Sequence, residues 1–366
     1  MKGFTMRTLL QKSFKFSLLL LGFGVFSFHN SYAQLDNVGT ILQSGKADAN
    51  ILAKEYLSPL GKGFGAGLNS GWFTTAKTHH TLGFDITAST SLAFIPSSDQ
   101  SFNAANLKLQ RLQYDQNSPQ MSSTIGGPKQ MGSKFNIVDQ GYNLGSITMP
   151  EGTGYHFIPS PMIQVGVGLI HHTDIMIRFL PNIKVPNYGR FHLYGFGIKH
   201  GLNQWIPGGK FLPVNLSIMA GFTDFKANSG LNVQPQDGPN TTDSYDPSTW
   251  NGQKITTETK AYTINALVGK SLPILAVYAG VGYESSKMTV ATPGNYPVTV
   301  PAPTQANPSH KKIDKLVRPI AFSIKGANSF RALVGLRIHV LIFSLSANYT
   351  IANYSMANVG FGFSFR

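Results

Sequence analysis

The sequence predicts an all-β protein, an antiparallel transmembrane β-barrel that follows a short N-terminal helical segment. Three observations predict this fold. The composition is poor in charge and rich in glycine and aromatic residues, and the N-terminus has the pattern of an export signal. Apolar residues also alternate with small or polar ones along segments of about ten residues, the length of a tilted strand that crosses a bilayer.

The composition excludes several classes of protein. Charged residues make up 13% of the 366 residues, about half of their usual share in soluble globular chains. The chain contains no cysteine, which excludes a disulfide scaffold, a thiolate metal site and a cysteine nucleophile. The formal net charge is +14, but the basic residues are scattered. We therefore predict no nucleic-acid partner and expect attraction to an anionic membrane surface or solute.

Residues 1–33 have the organisation of a secretory signal peptide. A basic region is followed by an apolar run over residues 16–28, and Ser31 and Ala33 supply the small residues of a cleavage site. The apolar run is too short for a typical transmembrane helix, although an uncleaved anchor is the alternative. We therefore predict cleavage after Ala33 and export to the outer membrane of a Gram-negative bacterium.

One helical segment precedes the predicted barrel. The apolar residues that share one face of this helix are Ile51, Leu52, Tyr56 and Leu60. Pro59 and the glycines between residues 61 and 67 are expected to end it. We assign residues 34–64 to the helical segment and residues 65–366 to the barrel. Because its apolar face must be buried, we expect the segment to plug the lumen or the periplasmic mouth.

The two-residue alternation is clearest at the C-terminus, where Phe361 and Phe363 lie on one face of an extended chain and Gly360 and Gly362 on the other. In a soluble β-sandwich, the alternative fold, the outward face would carry well-solvated side chains on shorter strands of about five or six residues. Here that face carries mainly Gly, Ser and Asn, which favours a barrel lumen. The segments with this alternation are 82–94, 163–169, 174–179, 188–200, 214–223, 262–269, 275–284, 330–339, 341–349 and 359–366.

Ten segments alternate well, and weaker patterns at 65–75 and within 133–150 bring the expected number of strands to about 12, with 10 and 14 as alternatives. The apolar parity switches within 188–200, which predicts a bulge there. Three long connections, 96–160, 226–254 and 289–327, all fall on one side of the barrel if its C-terminus is periplasmic. Short turns fall on the other side, as in outer-membrane barrels.

Several segments resemble an uncharacterised family of exported Gram-negative outer-membrane barrels. They are 69–72 (NSGW), 173–181 (TDIMIRFLP), 195–207 (GFGIKHGLNQWIP) and 354–366. The resemblance covers most of residues 47–366. Phe365 is also similar to the C-terminal aromatic assembly signal of such barrels, although Arg366 follows it. A helical segment before a barrel is more distantly similar to FadL-type transporters of hydrophobic compounds, in which the N-terminal segment plugs the lumen.

Seven charged residues face the lumen by parity, and they are our candidate site: Asp85, Asp174, Arg178, Lys199, Glu284, Arg331 and Arg337. They can form a structural ion-pair network, line a solute path or contact the N-terminal plug. Charge costs little on the lumen side and about 2–4 kcal/mol on the lipid side near the bilayer midplane. We therefore expect Gly362→Arg to be tolerated, whereas Phe361→Arg or Val334→Arg should impair folding into lipid.

The chemistry-bearing motifs are weak. The pairs His79–His80 and His171–His172 lie in predicted turns without a carboxylate cluster, so we predict no metal site. We expect no cofactor and no enzymatic activity. The expected function is passive transport of a small solute, either polar or hydrophobic. The alternative is a non-transport barrel with a structural, assembly or surface-binding role. The expected partners are outer-membrane lipid, the barrel-assembly machinery and a small-molecule solute.

Overall fold

The computed structural model describes residues 41–42, 44–186, 189–235 and 246–365, and the predicted signal peptide lies outside them. These residues form one long α-helix, α1 (Lys46–Asn69), and eighteen strands. The strands are β1 Phe84–Phe94, β2 Ser101–Asn103, β3 Leu112–Tyr114, β4 Met121–Ser123, β5 Lys134–Asp139, β6 Tyr142–Thr148, β7 Phe157–Leu169, β8 Thr173–Val185, β9 Gly189–Gly201, β10 Asn215–Gly230, β11 Lys254–Ser271, β12 Leu275–Ala291, β13 Asn295–Pro301, β14 Lys311–Val317, β15 Ala321–Lys325, β16 Phe330–Val340, β17 Phe343–Ile351 and β18 Met356–Phe365.

Ten of the strands close into an antiparallel barrel. Around the wall their order is β1, β7, β8, β9, β10, β11, β12, β16, β17 and β18, and β18 pairs with β1 to close the ring. The short strand β15 extends the sheet beside β12. The predicted all-β barrel is therefore confirmed, with ten strands in the wall, the lower alternative to the expected twelve.

The two weaker strand predictions do not contribute to the wall. Residues 65–69 belong to α1, and the 133–150 segment forms the hairpin of β5 and β6, which pairs with β3 outside the barrel. The irregularity expected within 188–200 lies on the neighbouring strand, where the β8–β9 register shifts between Leu180 and Ile183. β9 itself continues in one parity.

The barrel turns its apolar side chains outward. In β16, Val334 is 59% exposed, whereas its inward-facing neighbour Arg331 is buried. The same holds in β18, where Phe361 is exposed and Ser364 is buried. A closed ring of exposed apolar side chains is stable only when lipid covers it, so the wall of this barrel spans a membrane.

The long connections lie together at one end of the barrel, and the short turns at 170–172, 272–274 and 341–342 lie at the other. We name these the loop end and the turn end. The long connections run over 95–156, 231–253 and 292–329, because β10, β11 and β12 are longer than the sequence predicts. We refer to their described residues as the loop domain. It contains small sheets of its own, β2–β4, β3–β5–β6 and β13–β14.

α1 enters the barrel from the loop end. Its first half packs into the apolar core of the loop domain, whose buried members include Leu52, Tyr56, Phe135, Ile147, Tyr296 and Ile324. The second half descends into the lumen, and residues 70–82 continue to the turn end, where β1 begins. We call α1 together with residues 70–82 the plug. No helix among the described residues is long and apolar enough to cross a membrane.

The glycines that were expected to end the helix are part of it. Gly61 and Gly65 face β15 and β12, where an added Cβ would lie 2.9 Å from Ile324 and 2.1 Å from Ser286. Gly63 and Gly67 face the opposite wall, where a Cβ on Gly67 would lie 2.2 Å from the Ser160 hydroxyl. Residues two apart in a helix point in nearly opposite directions. The glycine run therefore thins the helix on two faces, and the expected boundary at residue 64 is wrong for this reason.

The neighbouring wall strand β1 argues against the expectation that Gly362→Arg is tolerated. A Cβ at Gly362 would come within 2.7 Å of the Ile86 carbonyl oxygen and 2.8 Å of the Thr87 hydroxyl. The inward face is polar, but it has no room for a long side chain at this position. The polarity of a face and the space beside it are separate constraints.

We predict that Val334→Arg impairs folding into lipid vesicles. The arginine would sit on the exposed face in the middle of β16, at a cost of about 2–4 kcal/mol. Urea titration with heat-modifiable gel mobility measures the loss. The matched control is Val340→Arg, at the turn-end terminus of the same strand, where the cost is only about 0–1 kcal/mol. Equal losses at the two positions would contradict the assigned lipid face.

Candidate functional site

The inward-facing charges converge on the plug. Arg178 of β8 is fully buried and donates hydrogen bonds to the carbonyl oxygens of Leu68 (2.8 Å) and Ser70 (2.7 Å) at the end of α1. Its guanidinium carbon lies 3.7 Å from the ring centroid of Trp72, and its Nε donates to Gln164 at 3.0 Å. The negative end of the helix dipole and the face of the indole ring both stabilise this buried positive charge.

Arg331 of β16 binds the same helix end from another part of the wall. It donates to the carbonyl oxygen of Asn69 at 3.1 Å and to the side-chain oxygen of Asn265 at 2.9 Å. It also forms an ion pair of 2.8 Å with Glu284 of β12, and both partners are buried. Two guanidinium groups therefore satisfy carbonyl oxygens that a helix C-terminus leaves without partners.

A second ionic cluster holds the plug at the turn end. The buried imidazole of His79 lies between two carboxylates, with Nδ1 3.1 Å from Asp174 and Nε2 3.3 Å from Asp85. The backbone N–H of His79 also donates to Asp174 at 2.9 Å. Lys199 forms an ion pair of 2.9 Å with Asp174 and donates to the carbonyl oxygen of Lys77. This cluster tethers the segment that connects α1 to β1.

All seven predicted lumen residues face inward and are buried. Six of them contact the plug directly, because Arg337 also donates to the Thr74 hydroxyl at 3.3 Å. Glu284 reaches the plug through Arg331. The sequence left three roles open for these residues, namely an ion-pair network, a solute path or contact with the plug. The observed geometry is contact with the plug.

Sequence reasoning missed the plug residues that complete these contacts. In the sequence, His79 stands out only as half of a weak metal motif and Trp72 only as part of a family resemblance. His79 and Asp174 are 95 residues apart, so no local spacing connects them. Among the described residues, no group of three or more His, Cys, Asp or Glu side chains is placed to hold a metal ion.

The loop-end start of the plug is also fixed. The carboxylate of Asp48 accepts hydrogen bonds from the backbone N–H groups of Gln110, Arg111 and Leu112, at 2.7, 2.8 and 3.0 Å. The Tyr56 hydroxyl donates to the carbonyl oxygen of Glu151 at 3.0 Å. Burial raises the pKa of Tyr56 to about 12, so this hydroxyl keeps its proton at neutral pH. The plug is thus bound at the loop end, in the middle of the lumen and at the turn end.

The sequence matches a family of unknown function (DUF6588) over residues 10–365, nearly the whole chain. The chain belongs to this family. The function of this family is unknown, and no curated protein matches the chain. The resemblance to an uncharacterised family is therefore confirmed, whereas a relationship to FadL-type transporters is not shown.

Solved structures with low similarity to this family member are outer-membrane proteins. The attachment invasion locus protein Ail of Yersinia pestis is 8% identical, over 78% of this chain and 100% of that chain, with a TM-score of 0.24. The translocator domain of autotransporter NalP from Neisseria meningitidis is 9% identical, over 79% and 90%, with a TM-score of 0.28. The outer-membrane transporter YddB from Escherichia coli is 9% identical, over 77% and 41%, with a TM-score of 0.27.

Similarity this low does not indicate what the family member binds. The outer-membrane assignment rests instead on the barrel itself. Its closed antiparallel wall, outward apolar belt, short turns and long loops at opposite ends are the features of outer-membrane barrels.

We predict that the Glu284–Arg331 pair is strongly coupled. Arg331→Met leaves the buried carboxylate without its counterion, which should cost about 3–5 kcal/mol of unfolding free energy, whereas Glu284→Gln/Arg331→Met should cost less. Urea unfolding in vesicles, followed by fluorescence of Trp72 with Trp205 and Trp250 replaced by Phe, measures both. If the loss of unfolding free energy in the double variant equals the sum of the losses in Arg331→Met and Glu284→Gln, the two charges are independent.

Proposed function

We propose that this protein is a closed outer-membrane barrel that binds its ligand with the loop domain, and that it is not a passive aqueous pore. The observation that carries the proposal is the attachment of the plug at three levels. Passive transport along the axis, the function expected first, would require buried ion pairs and helix-capping hydrogen bonds to break. Removing one partner from a buried pair costs several kcal/mol, which disfavours an open state at equilibrium.

The loop domain is the part of the chain best suited to recognition. It has an apolar core shared with α1 and its own sheets. The strands beneath it, β10, β11 and β12, have 16, 18 and 17 residues, more than a tilted strand needs to cross a bilayer. Loops fixed by a rigid scaffold commonly carry binding sites. We propose no catalytic step. As an outer-membrane barrel, the chain would meet outer-membrane lipid and the barrel-assembly machinery as partners.

One connection of the loop domain carries an excess of positive charge. The 292–329 connection carries Lys311, Lys312, Lys315, Arg318 and Lys325 against the single acidic residue Asp314. In contrast, the 95–156 connection carries equal numbers of acidic and basic residues, and the 231–253 connection carries three acidic residues and no basic one. Lysines on the exposed strand β14 also discourage edge pairing. We propose that this surface additionally favours an anionic partner, because complementary charge speeds and orients association.

We predict that purified wild-type protein gives no stable conductance in planar bilayers. Thr75 of the plug and Ser271 of β11 have hydroxyl oxygens 3.2 Å apart, and the chain has no other cysteine to interfere. Oxidised Thr75→Cys/Ser271→Cys, with its plug tethered to the wall, should therefore behave like the wild type. The reduced form of the same variant is the matched control. Stable conductance in the wild type and in the reduced variant, absent from the oxidised variant, would overturn the closed barrel.

We predict that Lys312→Glu/Lys315→Glu weakens binding of a sulfated polysaccharide to the barrel in vesicles, because both side chains are exposed on β14. Wild-type binding should also fall as salt is added, since salt screens exposed charges. The control is Lys108→Glu/Lys129→Glu, which makes the same charge change at exposed positions of the 95–156 connection. Equal weakening by the two variants would contradict a site on β14 and indicate only net charge.

A further inference from the structure

The barrel wall is split between β7 and β8 in its loop-end half. The two strands pair from Leu169 and Thr173 at the turn end up to Gln164 and Arg178. Beyond that pair, β7 continues for seven residues on β1, and β8 continues to Val185 on β9, but these two described stretches do not pair with each other. In this half, β7 thus stays paired with β1 and β8 stays paired with β9, but β7 and β8 do not pair with each other.

Three prolines account for the split. The N–H of Gly168 donates to the carbonyl oxygen of Gly83, the residue before β1, at 2.7 Å. By alternation the N–H groups of even-numbered residues of β7 therefore point toward β1, and those of odd-numbered residues point toward β8. Pro159 and Pro161 are odd, and they remove donors only on the β8 side. Pro161 and Pro181 each lie three residues beyond the last pair, so a continued ladder would place them opposite each other. Neither can donate a hydrogen bond.

The split lies between an exposed apolar outer face and an apolar part of the lumen. On the outside, Ile163 and Phe179 flank the split where it begins, nearest the turn end, and their side chains are 46% and 56% exposed. On the inside lies a cluster without ionisable side chains, made of Leu68, Met162, Leu193 and Ala261 with Phe64, Leu180 and Phe225 packed against it. The fully buried Arg178 lies on the turn-end side of the split, where it donates hydrogen bonds to carbonyl oxygens at the end of α1.

We propose that the split is a lateral opening through which an acyl chain of an outer-leaflet lipid enters and binds the apolar cluster beside α1. The ligand is apolar because Ile163 and Phe179 outside the split and the cluster inside it are apolar, while Asn182 and Lys184 of β8 lie further toward the loop end. Addition of a partner strand is disfavoured because the prolines remove the donors that such a strand would need. This site is independent of the loop-domain surface and extends the proposed function.

The test uses vesicles of a phospholipid that carries a photoreactive diazirine on one acyl chain, with the full-length barrel folded into them. Cross-linked residues are identified by mass spectrometry. We expect cross-links on the inward-facing Met162, Leu180 and Leu193, together with the outward-facing Phe361, which serves as the internal reference for lipid contact. Cross-links confined to outward-facing residues would overturn the proposal.

Two variants test the route. Pro161→Thr/Pro181→Thr restores both donors, and Leu180→Trp fills the inner side of the split without depending on how β8 re-pairs. Gel mobility confirms that each is folded. We expect loss of the inward cross-links and retention of the cross-link on Phe361. Inward cross-links unchanged in a folded variant would overturn the lateral route.

A second arm replaces the labelled phospholipid with an unlabelled one and adds a free diazirine fatty acid. Inward cross-links from the free acid alone, with none from the phospholipid, would overturn membrane lipid as the source. Neither arm measures ion flow, so the outcome is separate from that of the conductance test of the closed barrel.

Discussion

The structure depends on the capture of one helix end by two buried guanidinium groups. Arg178 and Arg331 reach the last carbonyl oxygens of α1 from different strands of the wall. A helix that ends inside a lumen leaves its final carbonyl groups away from water, and burial without partners would cost about 1–3 kcal/mol for each. The arginines satisfy these groups, and in turn the helix end, Trp72 and Glu284 compensate the buried positive charge. Wall and plug therefore stabilise each other.

The width of a ten-stranded barrel explains the composition of the plug. Such a lumen has room for one helix only if the helix is thin where it passes between facing walls. The glycines at 61, 63, 65 and 67 provide this on two opposite faces. Glycine weakens an isolated helix by about 1 kcal/mol for each residue relative to alanine. Larger side chains would collide with the surrounding wall, so glycine fits here despite that cost.

The sequence predicts the wall well and the plug poorly. Period-two alternation identifies all ten wall strands and places residues such as Asp85 and Glu284 on the inner face, because every strand side chain has only two directions to point. The plug has no such rule. Its glycine run is a stop signal in local terms and becomes a packing feature only when the walls are known. The link between His79 and Asp174 joins distant parts of the chain, so no spacing could reveal it. The hairpin of β5 and β6 alternates like a wall strand but pairs in the loop domain.

The misread parity within 188–200 has a physical cause that connects the plug to the split. Phe191 and Leu193 share the inward parity of Gly195, and they are apolar because the lumen at that height is apolar. The lumen is ionic toward the turn end and apolar toward the loop end, so polar and apolar molecules meet different barriers. Water and ions moving along the axis must separate buried charges, at several kcal/mol for each broken pair. An acyl chain entering from the side passes from one apolar environment to another and need only displace apolar contacts. The same barrel can therefore be closed to aqueous solutes and accessible to lipid.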